Sequence, residues 1–129
     1  MSEALVAKKL KKNNPQMLIK NISDKFGEGT PDRCCKWKDS EKVIWIELKH
    51  IKSIPKKKCK IGLKAKQAAW LEEWKEWGGS SFVLVGIKSE NAVAIFENDF
   101  RTIQLCGVKR EKFHLIPYDK VSDYLRSRA

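Results

Sequence analysis

The spacing of apolar and polar positions divides the chain into helical and extended segments. Near the amino terminus Glu3, Val6, Ala7 and Leu10 fall at i, i+3, i+4 and i+7, so they share one face of a helix. Ser2 is a suitable N-cap and Asn13-Asn14-Pro15 a breaker, and the helix is predicted to run to about Lys12. Gln16 to Ile22 reads as a strand. A glycine-containing turn, Gly27-Glu28-Gly29-Thr30-Pro31, leads to a short strand from about Asp32 to Lys38. After a polar Asp39-Ser40-Glu41 turn, Val43 to His50 is the clearest strand. Val43 and Trp45 point one way while Ile44, Ile46 and Leu48 point the other, the pattern of a central strand covered on both faces.

Further along, Ile51 to Gly62 is a basic loop containing Pro55, and Leu63 to Trp77 is an amphipathic helix stopped by Gly78-Gly79. Phe82 to Ile87 and Ala92 to Phe96 form a strand pair, Phe113 to Ile116 a further strand, and Asp119 to Arg126 a terminal helix. The order is helix, three strands, helix, strands. With no repeat or linker in its 129 residues, the chain is expected to be one α/β domain, 1–129, with a core of about 2–97 and a C-terminal extension over 98–129.

Composition narrows the class. Hydrophobic residues make up 42% and charged residues 33%, enough for a packed interior and unlike a disordered chain. No apolar run approaches the roughly 20 residues that span a bilayer. The amino terminus carries no apolar signal core. The expectation is a cytoplasmic protein of a bacterial or phage-infected cell, not secreted and with no membrane partner. Cys34, Cys35, Cys59 and Cys106 contain no Cys-x-x-Cys pair and are joined by only His50 and His114, a poor set for tetrahedral zinc.

Charge points to a polyanion. Lys and Arg number 27 against 16 Asp and Glu, a net +11, and a polyanionic partner, nucleic acid first and an anionic membrane surface second, relieves the self-repulsion of such a chain. The excess is clustered: Lys52, Lys56, Lys57, Lys58, Lys60, Lys64 and Lys66 fall in one stretch without an acid, and Lys8, Lys9, Lys11 and Lys12 form a second group.

The central strand then breaks its own pattern. Glu47 and Lys49 continue the face begun by Val43 and Trp45, because residues two apart in a strand point the same way. They either pair with each other or solvent at a frayed strand end, or serve a metal-dependent site. Acid-x-Lys alone is weak, since Glu73-Trp74-Lys75 repeats it on a helix. Asp32, at the start of the preceding strand, adds a second carboxylate that can converge with Glu47 on a hard cation, although Pro31-Asp32 in isolation reads as a turn.

Gly29-Thr30-Pro31-Asp32-Arg33, Ile46-Glu47-Leu48-Lys49, Gln67 with Trp70-Leu71, and Gly78-Gly79, in that order, resemble a PD-(D/E)xK nuclease. More narrowly they resemble the small stand-alone VRR-NUC (virus-type replication-repair nuclease) proteins, many of them from phages. The likeness covers Glu3 to about Val85. It implies a restriction-endonuclease-like fold, a mixed central sheet in αβββαβ order flanked by helices. It also implies Asp32 and Glu47 as metal-binding carboxylates, with the Leu48 carbonyl as a further ligand, and Mg²⁺ as cofactor with Mn²⁺ as substitute. Lys49 would orient or deprotonate the attacking water. Glu3 matches an acid on the first helix that faces the site, which implies it as a further metal-site residue, although a carboxylate at a helix N-terminus is also favourable by about 0.3–1 kcal/mol. Gln67 matches the glutamine on the helix after the motif strand. The sequence departs from the family pattern at Lys64, where relatives place a Ser or Thr cap.

Leu63, Gln67, Trp70, Leu71 and Trp74 form one stripe, so the Gln67 amide sits among core residues and needs hydrogen-bond partners. Trp45, Trp70 and Trp74 are expected in the core, and Trp37 and Trp77 are the tryptophans expected at the surface. The activity implied is a Mg²⁺-dependent DNA endonuclease on branched DNA, four-way junctions first, acting as a homodimer, with the Lys52–Lys66 stretch following the DNA backbone. The rivals are a non-catalytic basic nucleic-acid-binding module and a restriction-type or exonuclease relative of the same fold.

Overall fold

In the computed structural model, which describes residues 2–22 and 29–129, ten helices and strands build one six-stranded sheet with helices on both faces. Part of the anticipated Gly27–Pro31 turn lies outside the described residues. Helix α1 (Glu3–Asn13) begins where the Ser2 hydroxyl accepts from the Leu5 N–H at 3.2 Å, a cap worth about 1 kcal/mol. It buries Val6, Ala7 and Leu10, the face marked by the sequence spacing. Asn14 does more than end it. Its buried amide donates to the Leu10 and Tyr118 carbonyls and accepts from the Ser122 N–H, clipping α1 to the C-terminal segment.

Strands β1 (Met17–Asn21), β2 (Arg33–Trp37) and β3 (Val43–Ile51) form an antiparallel meander. The chain then crosses over through α2 (Ala65–Glu76) and returns as β4 (Ser80–Ile87), parallel to β3. Such a return requires a crossover element. Next come β5 (Ala92–Phe96), α3 (Phe100–Cys106), β6 (Leu115–Pro117) and α4 (Val121–Arg128), with β5 and β6 continuing the sheet antiparallel in the order β1 to β6.

Two apolar clusters lie on opposite faces of this sheet. One gathers α1, α4 and the residues Ile44, Ile46 and Leu48; the other gathers Ala68 and Leu71 of α2, Phe100 and Ile103 of α3, and Val83, Val85 and Ile87. Residues 98–129 are built into both: Phe100, Ile103 and Phe113 enter one cluster, Tyr118, Val121 and Leu125 the other, and β6 widens the sheet. They are integral to the domain. Gly86 on β4 lets α1 seat closely, because a Cβ there would lie 2.5 Å from Cγ2 of Val6.

Trp37 corrects an expectation. It is 2% exposed, with its indole N–H donating to Ser122 Oγ at 2.9 Å. Alternation puts it on the α1 face, where α4 covers it. No helix among the described residues is long and apolar enough to cross a membrane.

Candidate active site

Cross-strand register positions the first two carboxylates. Arg33 of β2 pairs with Ile46 of β3, so Asp32, one residue earlier, comes opposite Glu47. Side chains so placed stand about 4.5–5.5 Å apart at Cβ. The Leu48 N–H donates to Asp32 Oδ1 at 3.3 Å. In an extended strand a residue's N–H and C=O project to the same edge, so the Leu48 carbonyl faces this end of β2 as well.

The loop before Asp32 is pinned to α2. Gly29 has φ +86°, and a Cβ there would lie 2.2 Å from the Lys66 carbonyl oxygen. Only glycine satisfies both the left-handed backbone and that approach. Thr30 and Pro31 behind it are buried. The third carboxylate arrives from elsewhere: Glu3, in the first turn of α1, brings an oxygen to the same point. One carboxylate oxygen each from Glu3, Asp32 and Glu47 lie within 4.8 Å of one another, and this is the one such cluster of metal-ligating side chains among the described residues.

Glu47 is 3% and Lys49 8% exposed. Charges this deep need partners, and the Lys49 ammonium stands 3.4 Å from Glu47 Oε2. Gln67 reaches the same oxygen, its Nε2 donating to Glu47 Oε2 at 3.2 Å while its Oε1 accepts from the Lys64 N–H at 3.0 Å. One amide thus closes the N-terminus of α2, where Lys64 offers no side-chain acceptor, and fixes the Glu47 carboxylate. The buried face of α2 is centred on Ala68 and Leu71, which places Gln67 at its margin.

Asp32, Glu47, Leu48, Lys49, Gln67 and Glu3 are therefore brought together. Arg33, absent from the expected site residues, belongs beside them: its guanidinium lies 3.7 Å from Asp32 Oδ2 and donates to Asn21 Oδ1. Its position next to Asp32 was the available signal. Lys52, Lys56, Lys57, Lys58, Lys60, Lys64 and Lys66 are all exposed on the segment that leaves β3 and enters α2. Lys60 is already engaged, its ammonium donating to the Gln104 and Leu105 carbonyls at the end of α3.

Trp45, Trp70 and Trp74 are half-buried and form a cluster, with Trp70 and Trp74 stacked at 5.4 Å and Trp45 edge-on to both. Trp77 is 85% exposed. Thiol chemistry is poorly served here. Burial pushes the Cys35 thiol up to about 12, with the neighbouring Cys34 adding to the rise and Arg33 opposing it, and burial also raises Cys34 and Cys59.

No protein-family model matches the sequence, and no curated protein matches it. Among solved structures, the chain is similar to Archaeoglobus fulgidus Hjc, a Holliday junction resolvase from an archaeal hyperthermophile. The TM-score is 0.64 at 12% sequence identity, over 92% of this chain and 98% of that one. At such identity the likeness is one of architecture. The six-stranded mixed sheet with helices on both faces is a restriction-endonuclease-like fold.

Proposed function

We propose that this chain is a Mg²⁺-dependent DNA endonuclease of the stand-alone VRR-NUC type, cutting branched DNA, four-way junctions first, as a homodimer. The observation that carries the reading is the convergence of Glu3, Asp32 and Glu47 within 4.8 Å, beside a buried lysine, in a fold similar to that of a Holliday junction resolvase.

The donor set fits the cofactor. Three carboxylates, with the Leu48 carbonyl at their edge, offer only hard oxygen atoms, the preference of Mg²⁺ and Mn²⁺. When bound, such an ion polarises the phosphate and lowers the pKa of a coordinated water. The protein's own groups do the rest. The Leu48 N–H aims Asp32, and Gln67 aims Glu47. The Lys49 ammonium holds the attacking water in line and offsets charge on the phosphoryl oxygens; the water oxygen bonds to phosphorus as its proton passes to solvent, and the P–O3′ bond breaks with O3′ taking a proton from solvent. Cutting a junction symmetrically takes two active sites, and one chain supplies one, hence the homodimer.

The test is a panel of linear, flap and four-way DNA with Mg²⁺ or Mn²⁺, run beside Asp32→Asn, Glu47→Gln and Lys49→Ala. Nicking of the four-way substrate that all three variants lose is the expected result. Variants that cleave like the parent overturn the site assignment. Preference for linear DNA points instead to a restriction-type or exonuclease role. Calorimetry that finds no carboxylate-dependent Mg²⁺ uptake, with or without DNA, leaves a non-catalytic DNA-binding module.

A further inference from the structure

Cross-strand register also defines what lies beside the active site on the same face of the sheet. Lys20 pairs with Cys34, which pairs with Trp45; Leu18 pairs with Lys36, which pairs with Val43. These residues therefore share the face of Glu47 and Lys49. Among the described residues no helix covers this face over β1 and β2. Leu18 is 55% exposed, Val43 is exposed, and Lys20 stands in solvent. The positive charge of Lys20 is close enough to the Cys34 thiol to offset part of the effect of burial there.

The uncovered face runs round the β1 edge into a groove of about 570 Å³, lined by Leu18, Lys20 and Lys36 from this face, Lys11 and Trp37 from the α1 face, and Lys38. Four lysines reach it from α1, β1, β2 and the turn after β2, and no carboxylate lines it. Lys36 is held there by the Ser40 and Trp37 carbonyls, while Lys11, Lys20 and Lys38 are exposed. Lysine on an edge strand also discourages strand pairing between molecules, but that purpose does not require lysines from three further elements to meet in one groove.

The groove and residues 52–60 of the basic segment lie on opposite flanks of the carboxylate cluster, while Lys64 and Lys66 lie beside the cluster itself, next to Gln67 and Gly29. The segment is anchored on the α3 side, through the Cys59–Val108 bridge, Arg110 to the Ile54 carbonyl and Lys60 to α3. From Glu47 to Lys20 is two strands across and two residues along, about 12 Å at the backbone, or three to four base-pair steps of duplex.

We propose that the β1–β2 face and its lysine groove form a second DNA-backbone site, so that one duplex arm crosses the active site with Lys52–Lys60 on one flank and Lys11, Lys20 and Lys38 on the other. The proposal rests on the reading of the chain as a DNA-cutting enzyme. Charge selects the occupant: a lysine-rimmed groove without an acid fits the phosphodiester backbone.

The experiment uses the full chain in EDTA with a fluorescein-labelled 30-base-pair duplex, and anisotropy titrations over a series of NaCl concentrations. Each phosphate contact contributes about 0.9 to the slope of log K against log salt. The triple variant Lys11→Ala, Lys20→Ala, Lys38→Ala should reduce that slope by about 2 to 3. The control Lys120→Ala, Arg126→Ala, Arg128→Ala removes the same charge from exposed positions at α4, outside both flanks, and should reduce it by less than 1. Equal reductions in the two triples mean diffuse charge only and overturn the second site while leaving the nuclease reading standing. A parent that does not bind the duplex overturns both. Binding of a poly-glutamate peptide that the groove triple loses, with duplex binding unchanged, identifies an acidic peptide as the occupant and also overturns the proposal.

Discussion

On the α1 and α4 side of β3, Ile44, Ile46 and Leu48 are fully buried in one apolar cluster. On the α2 side, Val43 is exposed, Trp45 half-buried, and Glu47 and Lys49 are charged and buried. The same backbone thus carries a stabilising surface on one face and a costly one on the other. Charges removed from water cost several kcal/mol each unless they are paired, so the α2 face draws on stability supplied by its opposite. Alternation at a period of two lets both exist within 9 residues without either disturbing the other's packing.

The sharpest way to break this comparison is to change one residue on each face. Glu47→Gln should lower junction nicking on the order of 10²–10³-fold, yet leave the melting temperature in EDTA within a few degrees of the parent's. Three carboxylates converge in this cluster, so removing one negative charge relieves repulsion among them and offsets the loss of the Lys49–Glu47 ion pair. Ile46→Ala, its neighbour on the other face, should do the reverse. A fully buried isoleucine cut to alanine costs about 2–5 kcal/mol, roughly 10–20 °C for a chain of this size, with nicking at low temperature close to that of the parent. Melting curves and initial rates for the two variants check both. If Glu47→Gln proves the more destabilising, the α2 face is structural and the division between the faces fails.

That division was partly legible beforehand. A glutamate and a lysine interrupting a doubly apolar strand stood out in the sequence, and Asp32 joined them through its motif. Glu3 is different. Periodicity placed it on the inward face of α1, but α1 packs on the face of the sheet opposite Glu47, and no pattern within one helix reveals that its first turn reaches round the end of β2. Long-range tertiary placement decided that. Trp37 reads as exposed from its strand alone, which does not show that α4 returns to cover it. Helix α3 was missed because its buried residues, Phe100 and Ile103, make a single i, i+3 pair, too short for a period. Asp99 before it and Gly107 after it were the remaining signals.

A smaller effect is expected one step out from the cluster. Gln67 touches Glu47 and the Lys64 N–H, so under the proposed activity it is expected to position the Glu47 carboxylate. Gln67→Ala should slow nicking about 10-fold and raise the Mg²⁺ concentration for half-maximal rate, because Glu47 loses its hydrogen-bonded orientation. Loss of the bond closing α2 should cost about 1 kcal/mol. A purely structural glutamine would lower the melting temperature without moving the Mg²⁺ midpoint, so a Mg²⁺ titration of the rate separates the two.

Adjacent cysteines sharpen the comparison of faces without touching chemistry. Cys34 is half-buried on the open β1–β2 face, Cys35 is buried beneath α1, and Cys106 is exposed. Only the thiolate attacks a disulfide reagent, and burial lifts the Cys35 thiol to about 12. Labelling of the native protein at pH 8 should proceed at Cys106 first, Cys34 next, and Cys35 only at the rate of unfolding. Peptide mapping of partly labelled protein reads this order. Cys35 labelling at the rate of Cys34 would mean that α1 does not seal its face.

The weakest link on the stabilising side is the surface pair that ties α4 to the turn between β2 and β3, Arg126 to Asp39. The Arg126 guanidinium bonds to the Asp39 carboxylate and holds it below the usual carboxylate range, with a backbone hydrogen bond adding to the effect. The sign follows from that direction. The unfolded chain takes up a proton at higher pH than the folded one, so the contribution is present above the ordinary aspartate pKa of about 3.9. It is lost as pH falls through the lower folded value. Asp39→Asn should therefore melt slightly below the parent at pH 5–7, with the gap closing below about pH 4 and shrinking in high salt at every pH. Melting scans of both proteins from pH 2 to 7 at two salt concentrations measure it, and a gap that persists at the acid end would show that Asp39 acts through packing of the turn and not through its charge.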